Sequence, residues 1–212
     1  MECQEIVRAP LPALVATAYE PPLSNELLTP PEAAALVHAA SGRAPTGLRN
    51  RALVAVMYRS GLRPGEALAL HLHDVDLVGG TVLVPPRKGG RPRLTGLDLT
   101  TCEMVRAWLT PRAERDIAHD RPLFCTLAGE PLKAAYVREL LPRLARRADI
   151  GKRVHPLALR YANAAELAEE GMSTAMIDRH LGVAPIGGAR RYRRSVSERD
   201  VAAAVAARRW RL

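Results

Sequence analysis

The sequence predicts a mostly α-helical fold carrying one small antiparallel β-hairpin. Three observations point there. Of 212 residues, 48% are apolar but only 4% are aromatic, so the core must be built from Leu, Val and Ala, a composition suited to packed helices. Most of the chain divides into stretches that begin with a Ser, Thr or Pro start signal, and several end at glycine. One stretch breaks this rhythm: "GGTVLVPPRKGGRPRLTGL", residues 79 to 97, places extended segments on either side of a Lys-Gly-Gly turn. The length fits one compact domain with an additional arm.

Element by element, residues 1 to 26 read as an irregular arm, because Pro10, Pro12, Pro21 and Pro22 forbid a long helix. Thr29 then caps a helix with Pro30 and Pro31 in its first turn and Glu32 completing a capping box. "GLRNRALVAVMYRSG" predicts a second helix with Leu53, Val54, Val56 and Met57 on its buried face and Gly61 as its stop. A short helix from Pro64 leads into an extended stretch and the hairpin, with Pro85 and Pro86 at a strand end. Thr100 and Glu103 form a second capping-box pattern before "CEMVRAWL". "RPLFCTLAGEPL" reads as a loop with one short strand, and "KAAYVRELLPRLARRADIG" as a helix kinked at Pro142 and ended by Gly151. "PLALRYANAAELAEEG" and the Ser173-capped "STAMIDRHLG" are further helices, and the last, 197 to 208, carries a Ser195/Glu198 capping pattern. No internal repeat is visible.

Charge narrows the function. Lys plus Arg total 31 against 22 for Asp plus Glu, a net +9 that attracts a polyanion. Cys3, Cys102 and Cys125 are widely spaced and form no CxxC pair, which argues against a disulfide framework or a zinc site. The first residues lack an apolar signal core, and no apolar run is long enough to span a bilayer. The expectation is a cytoplasmic, nucleoid-associated protein.

Four motifs follow one another in the chain. "SGLRPGE" carries Arg63, "KGGRPR" carries Lys88, "HPLALRY" carries Arg160, and "HLGVAPIGGARRY" ends at Tyr192. In motif and order they resemble the tyrosine recombinases of the phage-integrase family, whose patterns are TGLRxxE, KGGKxR, HxLRH and LGHxxxxTTxxY. The resemblance covers residues 27 to 205 and implies a catalytic domain that breaks and rejoins duplex DNA through a 3′-phosphotyrosine. It implies Arg63, Lys88, Arg160 and Tyr192 as the catalytic set, with no cofactor and no metal. The chemistry has its own logic. Guanidiniums donate paired hydrogen bonds to a phosphoryl group gaining negative charge. A tyrosine oxygen conserves bond energy as a covalent intermediate, and a lysine can protonate the leaving 5′-oxygen. Arg87, Arg91, Arg93, Arg190, Arg191, Arg193 and Arg194 are expected on DNA. Each catalytic candidate also has an ordinary reading: Arg63 pairing with Glu66 three residues on, Lys88 as a solvated turn residue, Arg160 pairing with nearby acids, Tyr192 packing or stacking.

The resemblance breaks at specific places. The histidine expected three residues before Arg160 is Leu157, and the residue after "LG" is Val183 in place of His or Trp. Tyr161 follows Arg160 where many relatives have His. His155 and His180 are the nearest candidate substitutes. His155 is rotated by roughly 200° from Leu157 on a helix, and His180 is more readily an interior histidine. Leu and Val cannot relay protons, and lost acid–base assistance costs on the order of 10²–10⁴ in rate. Two readings therefore stand: a DNA-cleaving recombinase, and a recombinase-fold protein that binds or regulates DNA with impaired chemistry. Relatives generally carry a separate DNA-binding domain ahead of the catalytic one; here residues 1 to 26 are read as an arm and 27 to 212 as the catalytic domain. Copies of the chain are expected to assemble on DNA, and the terminal helix suits docking either on a neighbouring copy or on its own core.

Overall fold

The structure is a computed structural model that describes residues 27–86, 92–183 and 197–210. The N-terminal arm, the hairpin tip with Arg87, Lys88 and Arg91, and the segment holding Arg190, Arg191, Tyr192, Arg193, Arg194 and Ser195 lie outside the described residues.

Helix α1, Pro30–His38, starts as expected: the Glu32 amide donates to Thr29 Oγ1 at 3.3 Å and the Thr29 amide donates to Glu32 Oε2 at 2.7 Å. Helix α2, Pro45–Arg59, is the centre of the body, contacted by α1, by α4 (Leu99–Ala113) and by α6 (Pro156–Glu169). Its expected apolar face is buried, but so is every residue from Ala52 to Arg59. A helix enclosed by neighbours on several sides has no solvent face to give to charge. Arg59 is consequently an interior residue.

After Gly61 comes α3, Pro64–Leu68, then a 3-10 turn, Leu72–Asp74, and a three-stranded antiparallel sheet in the order β1 (Val75–Asp76), β2 (Thr81–Val84), β3 (Arg93–Gly96). Val82 faces Thr95 and Val84 faces Arg93 across the β2–β3 pair, which sets Arg93 at the start of its strand and Thr95 two residues in, on the same face. The expected short strand in "RPLFCTLAGEPL" is one isolated bridge between Cys125 and Pro131. Helices α5 (Ala134–Arg147), α6, α7 (Thr174–Leu181) and α8 (Glu198–Ala206) complete the order.

Three boundaries differ from the sequence expectation. Helix α4 is capped by Asp98, whose carboxylate accepts from the Thr101 amide at 2.9 Å, while Thr100 sits inside the first turn and its hydroxyl reaches the Trp210 carbonyl at 3.4 Å. An acidic cap also complements the helix dipole. Helix α5 runs through Pro142 and stops at Arg147, because the chain turns at Asp149 (φ +53) rather than at Gly151. The cap of α8 is Ser197, accepting from the Arg199 amide at 3.2 Å; Glu198 instead accepts from the Leu94 amide at 3.3 Å.

Helix α8 packs on its own chain, against β3 and α7. Gly96 makes the approach close: a Cβ there would stand 2.3 Å from the Ala202 carbonyl oxygen and 2.7 Å from the Ala206 nitrogen. Beyond α8, Arg208 donates to Glu170 at 2.6 and 2.9 Å and pairs with Glu166 at 2.7 Å. Glu166 also takes Arg59 at 2.8 Å and the Tyr58 hydroxyl at 2.8 Å, and Arg59 Nε donates to Asp98 at 2.5 Å. Trp210 lies over Arg59 and beside Tyr58. Burial favours the neutral form of Glu166, but the Arg208 and Arg59 charges outweigh it and hold the carboxyl below its usual range. Gly96→Ala is expected to lower the unfolding free energy by about 1–3 kcal/mol, read by urea titration, because the new methyl must push α8 off β3.

Candidate active site

The turn between α2 and α3 builds the site. Gly61 takes φ +59, and a Cβ there would lie 2.3 Å from Leu181 Cδ2, so only glycine lets the end of α7 close on this turn. Two residues later Arg63 heads α3 in extended conformation. Its amide donates to Glu66 Oε2 at 2.9 Å and its Nη1 to Glu66 Oε1 at 3.0 Å. Arg93, from β3, grips the same carboxylate with both arms: Nη1 to Oε1 at 3.0 Å and Nη2 to Oε2 at 3.0 Å. This is the bidentate fork that a guanidinium makes with a carboxylate. The third Arg93 nitrogen, Nε, donates to the His180 carbonyl at 3.1 Å.

Arg160 comes from the second turn of α6. Its Nη1 donates to the Gly61 carbonyl at 2.6 Å and its Nη2 to the Leu181 carbonyl at 2.5 Å. The C-terminal carbonyls of α7, unpaired within the helix and partially negative, thus anchor both Arg93 and Arg160. Among the described residues no carboxylate pairs directly with Arg160. Burial first, then the charges of Arg63 and Arg93, bring its guanidinium down to about 9, with Glu66 opposing. Burial pushes Glu66 upward, but the Arg93 bonds and charge, with the Arg63 amide and charge, bring it to about 2. Three guanidiniums therefore surround one ionised carboxylate. Their exposure differs: the Arg63 side chain is 37% exposed and Arg93 12%, while Arg160 is 5% exposed.

His180 lies fully buried behind this cluster. Its Nδ1 is 2.8 Å from Thr95 Oγ1 and its Nε2 3.1 Å from Asn163 Oδ1, while Asn163 Nδ2 donates to the Arg59 carbonyl at 3.3 Å. The amide orientation fixes the tautomer. Asn163 presents its oxygen, so Nε2 carries the proton, and Nδ1 accepts from the Thr95 hydroxyl. Burial, then the charges of Arg93 on β3, Arg208, Arg160 on α6 and Arg59 on α2, hold His180 well below the usual histidine range.

The expected residues divide as follows. Arg63 and Arg160 come together around Glu66, and the ordinary Arg63–Glu66 pair exists within that cluster. Arg93, expected on DNA, has all three guanidinium nitrogens engaged within the protein; its place at the strand start turns it inward to Glu66. His155 is the N-cap of α6, its Nδ1 accepting from the Ala158 amide at 3.3 Å. Leu157 is exposed, and Val183 is half-buried beside a small apolar cluster of Ala164, Leu167, Ile177, Leu181 and Val205. Tyr58 and Tyr136 are tied into the interior through Glu166 and Asn50. Lys88, Tyr192 and the arginines beside them lie outside the described residues. Thr95 and Asn163 escaped the sequence reading, because a polar residue on a core-facing position carries no mark of its distant partner. Cys102 and Cys125 are buried free thiols. Among the described residues no cluster of three His, Cys, Asp or Glu could hold a metal ion, and no helix is long and apolar enough to cross a membrane.

Helices around a short antiparallel sheet, with arginines supplied by the α2–α3 turn, by β3 and by α6, have the architecture of tyrosine recombinase catalytic domains. Residues 26–199 match the phage integrase family, and the chain belongs to that family. It is 32% identical to the tyrosine recombinase XerD of Ralstonia nicotianae over 198 residues, covering 92% of this chain and 64% of that protein. The crystal structure of XerA recombinase superposes with a TM-score of 0.69 at 27% identity, covering 78% of this chain and 58% of that one. XerH recombinase bound to its difH substrate in a pre-cleavage complex gives 0.66 at 25% identity, covering 79% and 50%. The chain thus spans half to two thirds of the length of these relatives.

The His180 bridge has a pH signature. Its folded pKa is depressed, so the unfolded chain takes up the proton first. The stability it contributes is present above about 6.5, the usual histidine value, and is lost as pH falls below it. Urea titrations of the wild type are expected to show this loss between pH 7.5 and 5. His180→Leu, less stable at pH 7.5 because Thr95 and Asn163 lose their partner, should show a shallower decline.

Proposed function

We propose that the protein breaks and rejoins DNA strands through a covalent tyrosine intermediate, with the cluster around Glu66 as the receiver of the reacting phosphate. The observation that carries this reading is the charge imbalance: Arg63 and Arg93 share the Glu66 carboxylate, Arg160 stands near it with no carboxylate of its own among the described residues, and Arg63 still offers an exposed face. Burial lowers Arg160 most and the Arg63 and Arg93 charges add to it; a phosphodiester oxygen beside Arg63 would offset that repulsive part. Arg63 makes the direct contact, Arg160 supplies charge from beneath, and Arg93 is a positioning residue that holds Glu66 and through it Arg63.

In the reaction the Tyr192 hydroxyl loses its proton to solvent and its oxygen attacks phosphorus. The bond to the 5′-oxygen breaks, that oxygen takes a proton from Lys88, and a 3′-phosphotyrosine remains. Attack by a 5′-hydroxyl reverses the steps and frees the tyrosine. Arg87, Arg91, Arg190, Arg191, Arg193 and Arg194 supply contacts to flanking phosphates. The partner is duplex DNA, where copies of the chain assemble, and the setting is the cytoplasm at the nucleoid. The substrate-bound state of XerH supports DNA as the ligand class.

A second reading, a DNA-binding protein with impaired chemistry, draws on Leu157 and Val183. Neither can donate a proton to a phosphoryl oxygen, and His155 and His180 are both committed elsewhere. Phosphate binding survives these losses, while proton transfer does not.

The test is a nicked duplex that traps the covalent product, resolved under detergent. An adduct that forms with the wild type and is absent with Tyr192→Phe supports cleavage; binding with no adduct on any sequence supports the second reading. Arg63→Ala is expected to reduce adduct formation by about 10²–10³-fold, the usual effect of removing one preorganised donor. Leu157→His is expected to raise it by at least about tenfold, within the range of acid–base assistance.

A further inference from the structure

Three interior residues are polar where packing alone asks for apolar side chains. Thr95, Asn163 and His180 are each fully buried. They form one chain of hydrogen bonds. The Thr95 hydroxyl donates to His180 Nδ1 at 2.8 Å, His180 Nε2 to Asn163 Oδ1 at 3.1 Å, and Asn163 Nδ2 to the Arg59 carbonyl at 3.3 Å. Apolar side chains of similar shape would fill this space with no polar group to desolvate. What the hydrogen bonds add is direction: a satisfied buried network fixes one arrangement of the elements it joins.

The elements it joins are those that carry the arginines of the site. Thr95 is two residues after Arg93 on β3, so the two share a face of the strand. Asn163 is three residues after Arg160, beside it on the surface of α6. Gly61, two residues before Arg63, lies directly against the bridge: a Cβ on it would stand 3.1 Å from Asn163 Oδ1 and 3.3 Å from His180 Nε2. The backbone of α7 repeats the pattern. The His180 carbonyl accepts from Arg93 Nε at 3.1 Å, and the Leu181 carbonyl accepts from Arg160.

We propose that His180 is a positioning residue for strand cleavage: one imidazole, held by Thr95 and Asn163, sets the spacing of Arg63, Arg93 and Arg160 on which the reacting phosphate depends. The inference rests on the DNA-cleaving reading given above. His180 touches no phosphate and passes no proton to one, because both ring nitrogens are engaged inside the protein. Its effect falls on the transition state. A phosphoryl group gaining charge is stabilised by donors already in place. Binding of intact DNA draws instead on charge spread over many contacts. Loss of the bridge therefore lowers the rate of cleavage and leaves the affinity for DNA.

The test measures the rate of adduct formation against the concentration of nicked duplex, at neutral pH, for wild type, Thr95→Val, Thr95→Ser and His180→Leu. Urea titration gives the folded fraction of each. Thr95→Val keeps the shape of threonine and loses only the hydroxyl, so it carries the test even where His180→Leu, which loses both bonds, is too unstable to assay. Its maximal rate per folded molecule is expected to fall at least about tenfold, since a misplacement of about 1 Å costs on the order of 10²-fold. Its half-saturating DNA concentration should stay within about twofold of wild type, the signature of an interaction expressed only in the transition state. Thr95→Ser, with the hydroxyl restored, is expected to recover the maximal rate to within about threefold. A bridge that serves stability alone would lower the urea midpoint and leave the rate per folded molecule at the wild-type value. That result, or an equal loss in Thr95→Ser and Thr95→Val, overturns the inference while the cleavage reading stands. A wild type that forms no adduct overturns both.

Discussion

One buried carboxylate organises the site. Glu66 stands at the third position of a five-residue helix with its side chain 3% exposed, and it accepts from the Arg63 amide, the Arg63 guanidinium and both arms of Arg93. Without it, guanidiniums from three elements would repel one another in a partly dry interior, where removing one member of a buried pair costs about 3–5 kcal/mol. With it, the α2–α3 turn, β3 and the end of α7 are joined through polar bonds whose geometry is directional. The carboxyl is held ionised by cations on two sides, so this residue keeps its charge at any pH near neutrality.

Backbone carbonyls do nearly as much as side chains. Gly61, His180 and Leu181 present oxygens to Arg160 and Arg93, and the buried His180 bridge from Thr95 to Asn163 secures the helix end that supplies two of them. The arrangement separates two jobs that an active site often merges. Fixed positive charge is abundant and well supported. Groups able to exchange protons are absent from Leu157 and Val183, and the nearby histidines serve as a helix cap and a core bridge.

Local signals were readable from the chain. The Thr29/Glu32 box, the glycine after α2 and the two paired strands of the hairpin depend on nearby residues, and each has the expected form. The α4 cap was misplaced by two positions because both Asp98 and Thr100 are good caps, and only the path of the preceding strand decides between them. What the sequence concealed is long range. Arg59, Arg112 and Arg208 count toward the net charge exactly as surface arginines do, yet they lie in the interior. Glu66 three residues from Arg63 was visible; its grip on Arg93, 27 residues away, required the fold.

The Arg59 network has a temporal consequence. Its members come from positions 59, 98, 166 and 208, and Gly96 awaits a helix that begins a hundred residues later. During synthesis the central helix therefore carries an unpaired Arg59 until Asp98 and Glu166 have emerged, and β3 keeps an uncovered face until residues 198–210 have left the ribosome. Contacts so distant in sequence close slowly, so the docking of the last helix on β3 comes late in folding.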